Sequence, residues 1–365
     1  MTKESKPRIV IVQPVVPNYR KAFFSALAEN LGPRFSVYSS KLQMGVLTEN
    51  LHNESWSHPI GPTKRLFSGA EWQSGALSLP FSHDDVVVVS GAPRCLSNIA
   101  LLLLARIRGA RTVWWGQYWS ATSRFHRFIL RMALMRIANA VLFYTDAEVL
   151  KYKSGFGNSD RRPIAALNNG IDVKPIQKLR ANYTPNKRGY NILFIGRLTE
   201  KSEISLLLQA MLNPQLKKAT LHIIGEGSNT AILNKWTQDN DLNSRVVWHG
   251  ATVDEAYIAS VANKASIFCY PGGVGLSLIH AMAYGLPSVV HDDLLSHMPE
   301  IAAFKENITG LSFKKGDSDG LAKTLSSLLE NSEMRIQMSH ASIELADTEY
   351  NTDSMAKRFI EFIDH

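Results

Sequence analysis

The residues best placed to do chemistry lie between Ser266 and His291. An apolar run from Ser266 to Tyr270 stops at Pro271, the glycines Gly272, Gly273 and Gly275 surround Val274, and a helical pattern opens at Leu276. Three glycines in four residues permit a tight turn that leaves backbone uncovered. The amides of the next helix's first turn, at the positive end of its dipole, then face any anion placed above the strand's carboxyl end. Such a corner can hold a phosphate or a diphosphate. A second element points to the same chemistry: another apolar run ends at Ile195 and is followed by Gly196, Arg197, Leu198, Thr199, Glu200 and Lys201. An arginine there offers a planar fork of donors to a diphosphate. Within the helix, His280 shares a stripe with Ser277 and Tyr284 and can donate or accept a hydrogen bond.

These residues need a scaffold of parallel strands, and the patterning supplies one. Apolar runs alternate with helical patterns throughout the 365 residues, the signature of βαβ units. Strands are expected at 8–14, 35–39, 85–90, 111–116, 140–145 and 164–167, then at 190–196, 220–225, 246–249, 266–270 and 287–291. Helices are expected at 19–31, 96–108, 123–138 and 147–154, then at 202–212, 229–239, 254–262 and 276–284. Between Ile171 and Gly189 the alternation gives way to a polar stretch with Pro175, Pro185, Asn186 and Gly189, which reads as a linker. The division expected is a first domain over 1–180, a second over 189–350, and a C-terminal amphipathic helix over 351–365 able to pack back on the first. Its apolar residues are Met355, Phe359 and Phe362.

Charge divides along the same line. Before Gly189 there are 26 Lys and Arg against 11 Asp and Glu; from there on there are 14 against 21. Val86 to Thr145 contains no acidic residue, yet it holds Arg94, Arg106, Arg108, Arg111, Arg124, Arg127, Arg131 and Arg136. An anionic partner for the first half follows. The helical pattern from Ser123 to Ala138 sets Arg124, Arg127 and Arg131 beside an apolar stripe of Phe125, Phe128, Ile129 and Met132, as a helix lying on an anionic membrane surface does. A core-packing helix with a solvated face has the same pattern. Zinc-finger spacing, RNP-type strands and recognition-helix patterns are absent, so nucleic acid is not expected as partner.

Cys95 and Cys269 lack paired zinc or disulfide spacing, and the polar start, Met1 to Arg8, lacks the tripartite pattern of a secretory leader. The longest apolar run, Ile99 to Ala105, is far short of the ~20 residues a membrane span needs. The location expected is cytoplasmic, including the inner face of the cytoplasmic membrane.

The Ser266-to-His291 passage resembles the donor-site signature of family-4 retaining glycosyltransferases of the GT-B fold. Gly273, Gly275, Leu276, Ala281, Met282, Ala283, Gly285 and Pro287 carry the match. The family's paired glutamates correspond to Gly272 and His280, so the site is a variant similar to that of some bacterial surface-polysaccharide enzymes. Arg197 matches the family's Gly-Arg-Leu; the family lysine falls at Ser202, with Lys201 one residue away. Gly225, in Ile224-Gly225-Glu226-Gly227, resembles the loop beside the base, and Pro299-Glu300-Ile301 resembles the late loop, with Ser296-His297-Met298 in place of its usual glycine pair.

The resemblance implies an α/β architecture of two Rossmann-like domains facing across a cleft. The donor, a nucleoside diphosphate sugar, would be held in the second domain by Gly196, Gly225, Gly272, Gly273, Val274, Gly275, Leu276 and Glu300, with Arg197, Lys201 and His280 in catalytic roles. The acceptor, a glycan or lipid-linked glycan, would meet Asn18, Arg20, Arg94 and Gln117 at strand ends of the first. Many relatives place a histidine near the position of Gln117. Glutamine cannot exchange a proton near neutral pH, which fits retaining better than inverting chemistry. Neither a cofactor nor a metal is expected. The one Asp-x-Asp, Asp317-Ser318-Asp319, precedes a helical pattern and reads as a cap. The same architecture also hosts sugar-nucleotide epimerases, and a catalytically silent nucleotide-sugar-binding subunit is the alternative that the missing glutamates leave open.

Overall fold

The computed structural model of the chain describes residues 6–41, 53–119 and 125–364. The chain divides into two compact units. The first comprises residues 1–169 and 352–365, and the second Gly170–Asn351.

In the first unit the strands run, in chain order, β1 (Ile9–Gln13), β2 (Phe35–Ser39), β3 (Ser57–Pro59), β4 (Thr63–Arg65), β5 (Glu71–Gln73), β6 (Val86–Ser90), β7 (Arg111–Trp115), β8 (Ala140–Phe143) and β9 (Ile164–Ala166). The helices are α1 (Lys21–Leu31), α2 (Leu96–Ile107), α3 (Phe125–Met135) and α4 (Asp146–Lys153). Among the described residues, seven of these strands form one parallel sheet in the order β3-β2-β1-β6-β7-β8-β9, while β4 and β5 pair as an antiparallel hairpin. β1 and β6 are buried at all but their last residue. A parallel strand covered on both faces by helices reads as continuous Val and Ile rather than as alternation, and Val86 to Val89 is such a run. The short β3 and the hairpin escape sequence reading because three residues are too few to show a period.

The second unit follows with α5 (Lys174–Leu179), α6 (Pro185–Arg188), β10 (Asn191–Ile195), α7 (Ile204–Ala210), β11 (Thr220–Ile224), α8 (Thr230–Asp239), β12 (Val246–Trp248), α9 (Glu255–Ala262), β13 (Ile267–Tyr270), α10 (Leu276–Ala283), β14 (Ser288–His291), β15 (Gly310–Phe313), α11 (Ser318–Glu330) and α12 (Ser332–Thr348). Its sheet is parallel, in the order β12-β11-β10-β13-β14-β15. Connectivity reverses between β10 and β13, and in open α/β sheets that crevice, beyond the strands' carboxyl ends, is where ligands bind.

The stretch from Ile171 to Gly189, expected to be a linker, is packed into the second unit. Ile176 is buried, the Tyr183 hydroxyl donates to the Ser266 carbonyl at 2.5 Å, and buried Arg188 donates to the carbonyls of Ala262 and Ala265 at 3.2 and 3.0 Å while lying 4.4 Å from the Tyr183 ring. Polar composition misleads here because the anchors are a few long side chains reaching backbone carbonyls. The passage between the units therefore falls after Asn169.

The last helix, α13 (Thr352–Asp364), belongs to the first unit. Phe359 is fully buried, edge-on to Phe23 at 6.1 Å, and Arg358 pairs with Asp146 at 2.9 Å. Burying one such aromatic contributes roughly 1.5–3 kcal/mol. Asp317 caps α11 by accepting the Gly320 N–H, so the Asp-x-Asp serves a helix end. Among the described residues no helix is long and apolar enough to cross a membrane.

Candidate functional site

The two elements singled out in the sequence meet at the switch point of the second sheet. β10 and β13 are direct neighbours, pairing Ile192 with Ile267 and Leu193 with Phe268, so Gly196 and Arg197 leave one strand beside the place where Gly272 to Gly275 leave the other. Phe194 and Tyr270 stack at 4.8 Å beneath them. A Cβ on Gly196 would stand 2.7 Å from the Tyr270 ring, and one on Gly225, whose φ is +147°, would strike the Gly196 carbonyl. Glycine is required at both positions because two loops and a ring converge there.

The glycine corner is held from two sides. Gly273 donates its N–H to the Lys201 carbonyl at 3.1 Å, and a Cβ on Gly272 would collide with that carbonyl and with the backbone of Ser202. Val274 donates to Nδ1 of His297 at 3.1 Å and accepts the Met298 N–H at 3.0 Å. His297 in turn donates from Nε2 to the His291 carbonyl at 2.9 Å, and the two rings stack at 3.8 Å. These bonds fix His297 as neutral, with its proton on Nε2. Burial pushes both histidines down from their ordinary value, His291 to about 4. The amides of Gly273 and Val274 thus build the corner, and the donors left to an anion are those at the start of α10. Its N-cap is Gly275, and no side chain caps it. Buried Glu300 stands beside it, with a carboxylate oxygen 3.6 Å from where a Cβ on Gly275 would be. Leu276 is the helix's first residue.

Arg197 and Lys201 are exposed, whereas Ser202, at the family's lysine position, is buried with its hydroxyl donating to the Thr199 carbonyl at 2.7 Å. A lysine at 202 would have to leave this interior, so Lys201 is the cation the turn presents. His280 Nε2 lies 2.9 Å from Oε1 of Glu255 on α9, and the Tyr284 hydroxyl donates to the same oxygen at 2.5 Å. Burial raises the Glu255 carboxyl, but the bonds from His280 and Tyr284 outweigh it and hold the group below its usual value. Glu255 is the site residue that sequence reasoning missed. It opens α9 and converges with His280 only through tertiary packing.

The first unit has its own cavity, a pocket of about 630 Å³ at the carboxyl ends of β6, β7 and β8. Arg94, Gln117, Arg127 and Arg131 line it together with Leu96, Leu130 and Tyr144. Arg94 is oriented through Nε on Glu71 at 3.1 Å, and Arg131 donates from Nη1 to the Tyr118 carbonyl at 3.3 Å. Arg20 lies 4.5 Å from the Trp115 ring and 5.7 Å from that of Tyr144, adjoining the pocket. Asn18, in the turn after β1, is not among its lining residues. Of the arginine stripe, Arg124 lies outside the described residues. Arg127 is exposed and Arg131 half-buried, with Phe125 and Leu130 exposed on the same helix.

Two Rossmann-like α/β units define the architecture of GT-B glycosyltransferases, and known proteins agree. Residues 175–345 match the family model glycosyl transferases group 1 and are a domain of that family. HepE of Anabaena, solved in complex with UDP, is 12% identical with a TM-score of 0.72, the match covering 98% of this chain and 99% of that one. The lipopolysaccharide outer core galactosyltransferase WaaB is 14% identical with a TM-score of 0.72, over 98% and 99% of the two chains. TarM of S. aureus, solved with fondaparinux, alpha-GlcNAc-glycerol and UDP, is 15% identical with a TM-score of 0.61 over 82% of this chain, which spans only 61% of TarM. At these identities the likeness is one of fold. No curated protein matches the chain in sequence.

Proposed function

We propose that the chain is a glycosyltransferase that moves a sugar from a nucleoside diphosphate sugar to a glycan or polyprenyl-diphosphate-linked acceptor, with retention, in surface polysaccharide synthesis. The observation that carries the reading is the meeting of Gly196 and Arg197 with the Gly272-to-Gly275 corner at the sheet's switch point. That HepE and TarM are solved with UDP supports a uridine nucleotide as the first donor to test.

In the step envisaged, the bond from the sugar's anomeric carbon to the diphosphate breaks. The acceptor oxygen bonds to that carbon on the same face, and the acceptor's proton passes to the departing diphosphate. Arg197, Lys201 and the first-turn amides of α10 stabilise the growing negative charge, a preorganised electrostatic effect. Those groups supply the positive charge the step requires, so the account calls for neither metal nor cofactor. The exposed basic and apolar residues of α3 favour work at the inner face of the cytoplasmic membrane.

The test is incubation of the intact protein with labelled UDP, GDP and dTDP sugars and membrane extract, followed by the configuration of the new linkage. Transfer with retention supports the reading. A free epimerised sugar released without acceptor would establish an epimerase, and saturable donor binding without transfer a silent subunit.

A further inference from the structure

The eight arginines of the acid-free interval divide by what they touch. Arg106 donates to the Ile137 carbonyl, Arg111 to the carbonyls of Phe362 and Ile363, and Arg136 to that of Phe156, while Arg108 lies over the Phe81 ring at 5.0 Å. These four hold backbone carbonyls and a ring. Arg94, Arg127 and Arg131 line one pocket, Arg94 with its Nε on Glu71 and Arg131 with Nη1 on the Tyr118 carbonyl; among the described residues no carboxylate lines it, and Arg124 is outside the described residues. Three arginines of the acid-free interval thus meet at one cavity.

Its volume, about 630 Å³, falls in the range of small-molecule sites. Guanidinium groups recognise phosphate oxygens through paired donors. Leu96 and Leu130, both solvent-exposed, add apolar surface beside the arginines, and Gln117 and Tyr144 bring neutral groups that suit sugar hydroxyls.

We propose that this pocket is a diphosphate-ester site, in which Arg94, Arg127 and Arg131 take the phosphoryl oxygens of the acceptor and Leu96 and Leu130 take the start of its hydrocarbon chain. The proposal rests on the transferase reading in making the ester part of the acceptor. It goes further in assigning three arginines to a ligand of defined charge and amphipathic character.

Titration of the intact protein with farnesyl diphosphate, followed by calorimetry at 150 mM salt (roughly physiological ionic strength), tests it. Farnesol and inorganic pyrophosphate are the comparison ligands, and UDP is titrated separately. Saturable binding of farnesyl diphosphate at least tenfold tighter than either comparison ligand is expected. Arg127→Gln, at an exposed position, should weaken it about tenfold, with UDP affinity and melting temperature unchanged; Leu130→Gln should weaken farnesyl diphosphate and not pyrophosphate. Farnesol or pyrophosphate binding as tightly, no effect of Arg127→Gln, or full competition by UDP would overturn the proposal. If UDP binds and farnesyl diphosphate does not, the pocket assignment fails alone. If UDP fails to bind, the transferase reading fails with it.

Discussion

The N–H of Gly273 donates to the carbonyl oxygen of Lys201 at 3.1 Å, so the loop after β10 and the loop after β13 are joined through backbone. This bond accounts for the glycine at position 272. Residue 272 is pressed against the same carbonyl and has no room for a side chain.

Restoring a side chain should therefore harm the protein. Gly272→Ala and Gly272→Glu each force backbone apart, at a cost of about 1–3 kcal/mol for overpacking. Both are expected to lower the melting temperature and weaken UDP binding at least tenfold by calorimetry. A Gly272→Glu variant with improved turnover would show that the corner opens readily.

Arg197→Ala removes an exposed cation and should leave the melting temperature unchanged. Turnover should fall by about 10²–10³, the effect of losing one electrostatic stabiliser of a developing charge. Steady-state assays with a saturating donor measure it, and unchanged turnover removes Arg197 from the mechanism.

The His297 clamp predicts an acid-sensitive fold. His297 Nδ1 must stay unprotonated to accept the Val274 N–H, and His291 stacks on it, with Asp292, Asp293 and Lys315 as the other charged groups near the pair. Both histidines have folded-state values below the ordinary one near 6.5. The unfolded chain thus takes up protons first, and this stability is fully present above about pH 6.5 and lost as pH falls from there toward 4. Urea midpoints measured from pH 7.5 to 4.5 should decline, and His297→Gln, whose carbonyl can still accept the Val274 bond, should flatten the decline. Parallel curves for the two proteins would contradict the assignment.

Arg188→Met should destabilise the second unit by about 2–4 kcal/mol, since two buried carbonyls lose their charged donor. Urea unfolding followed by fluorescence reports this. A change under about 0.5 kcal/mol, the level of ordinary surface substitutions, would mean that 171–189 is only loosely attached.

Much of the architecture was legible because parallel strands announce themselves as runs such as Val86 to Val89, and because Pro271 and the glycines after it mark where a strand becomes a helix. Arg197 and the corner were legible for the same reason: both are local patterns at strand ends. What escaped were relationships made by distant segments. Glu255 reaches His280 across two helices, His297 meets Val274 from a late loop, and Arg188 ties down a stretch whose composition reads as a linker. The arginine stripe of α3 was visible, but its share in a pocket required the neighbouring strand ends to be placed beside it.

The most direct test of the central claim is calorimetric titration of UDP into the intact protein, into Arg197→Ala and into Arg127→Gln. The account predicts a single saturable site in the first, weakened at least tenfold by Arg197→Ala and unaltered by Arg127→Gln. Absence of UDP binding, or binding indifferent to Arg197→Ala, would contradict it.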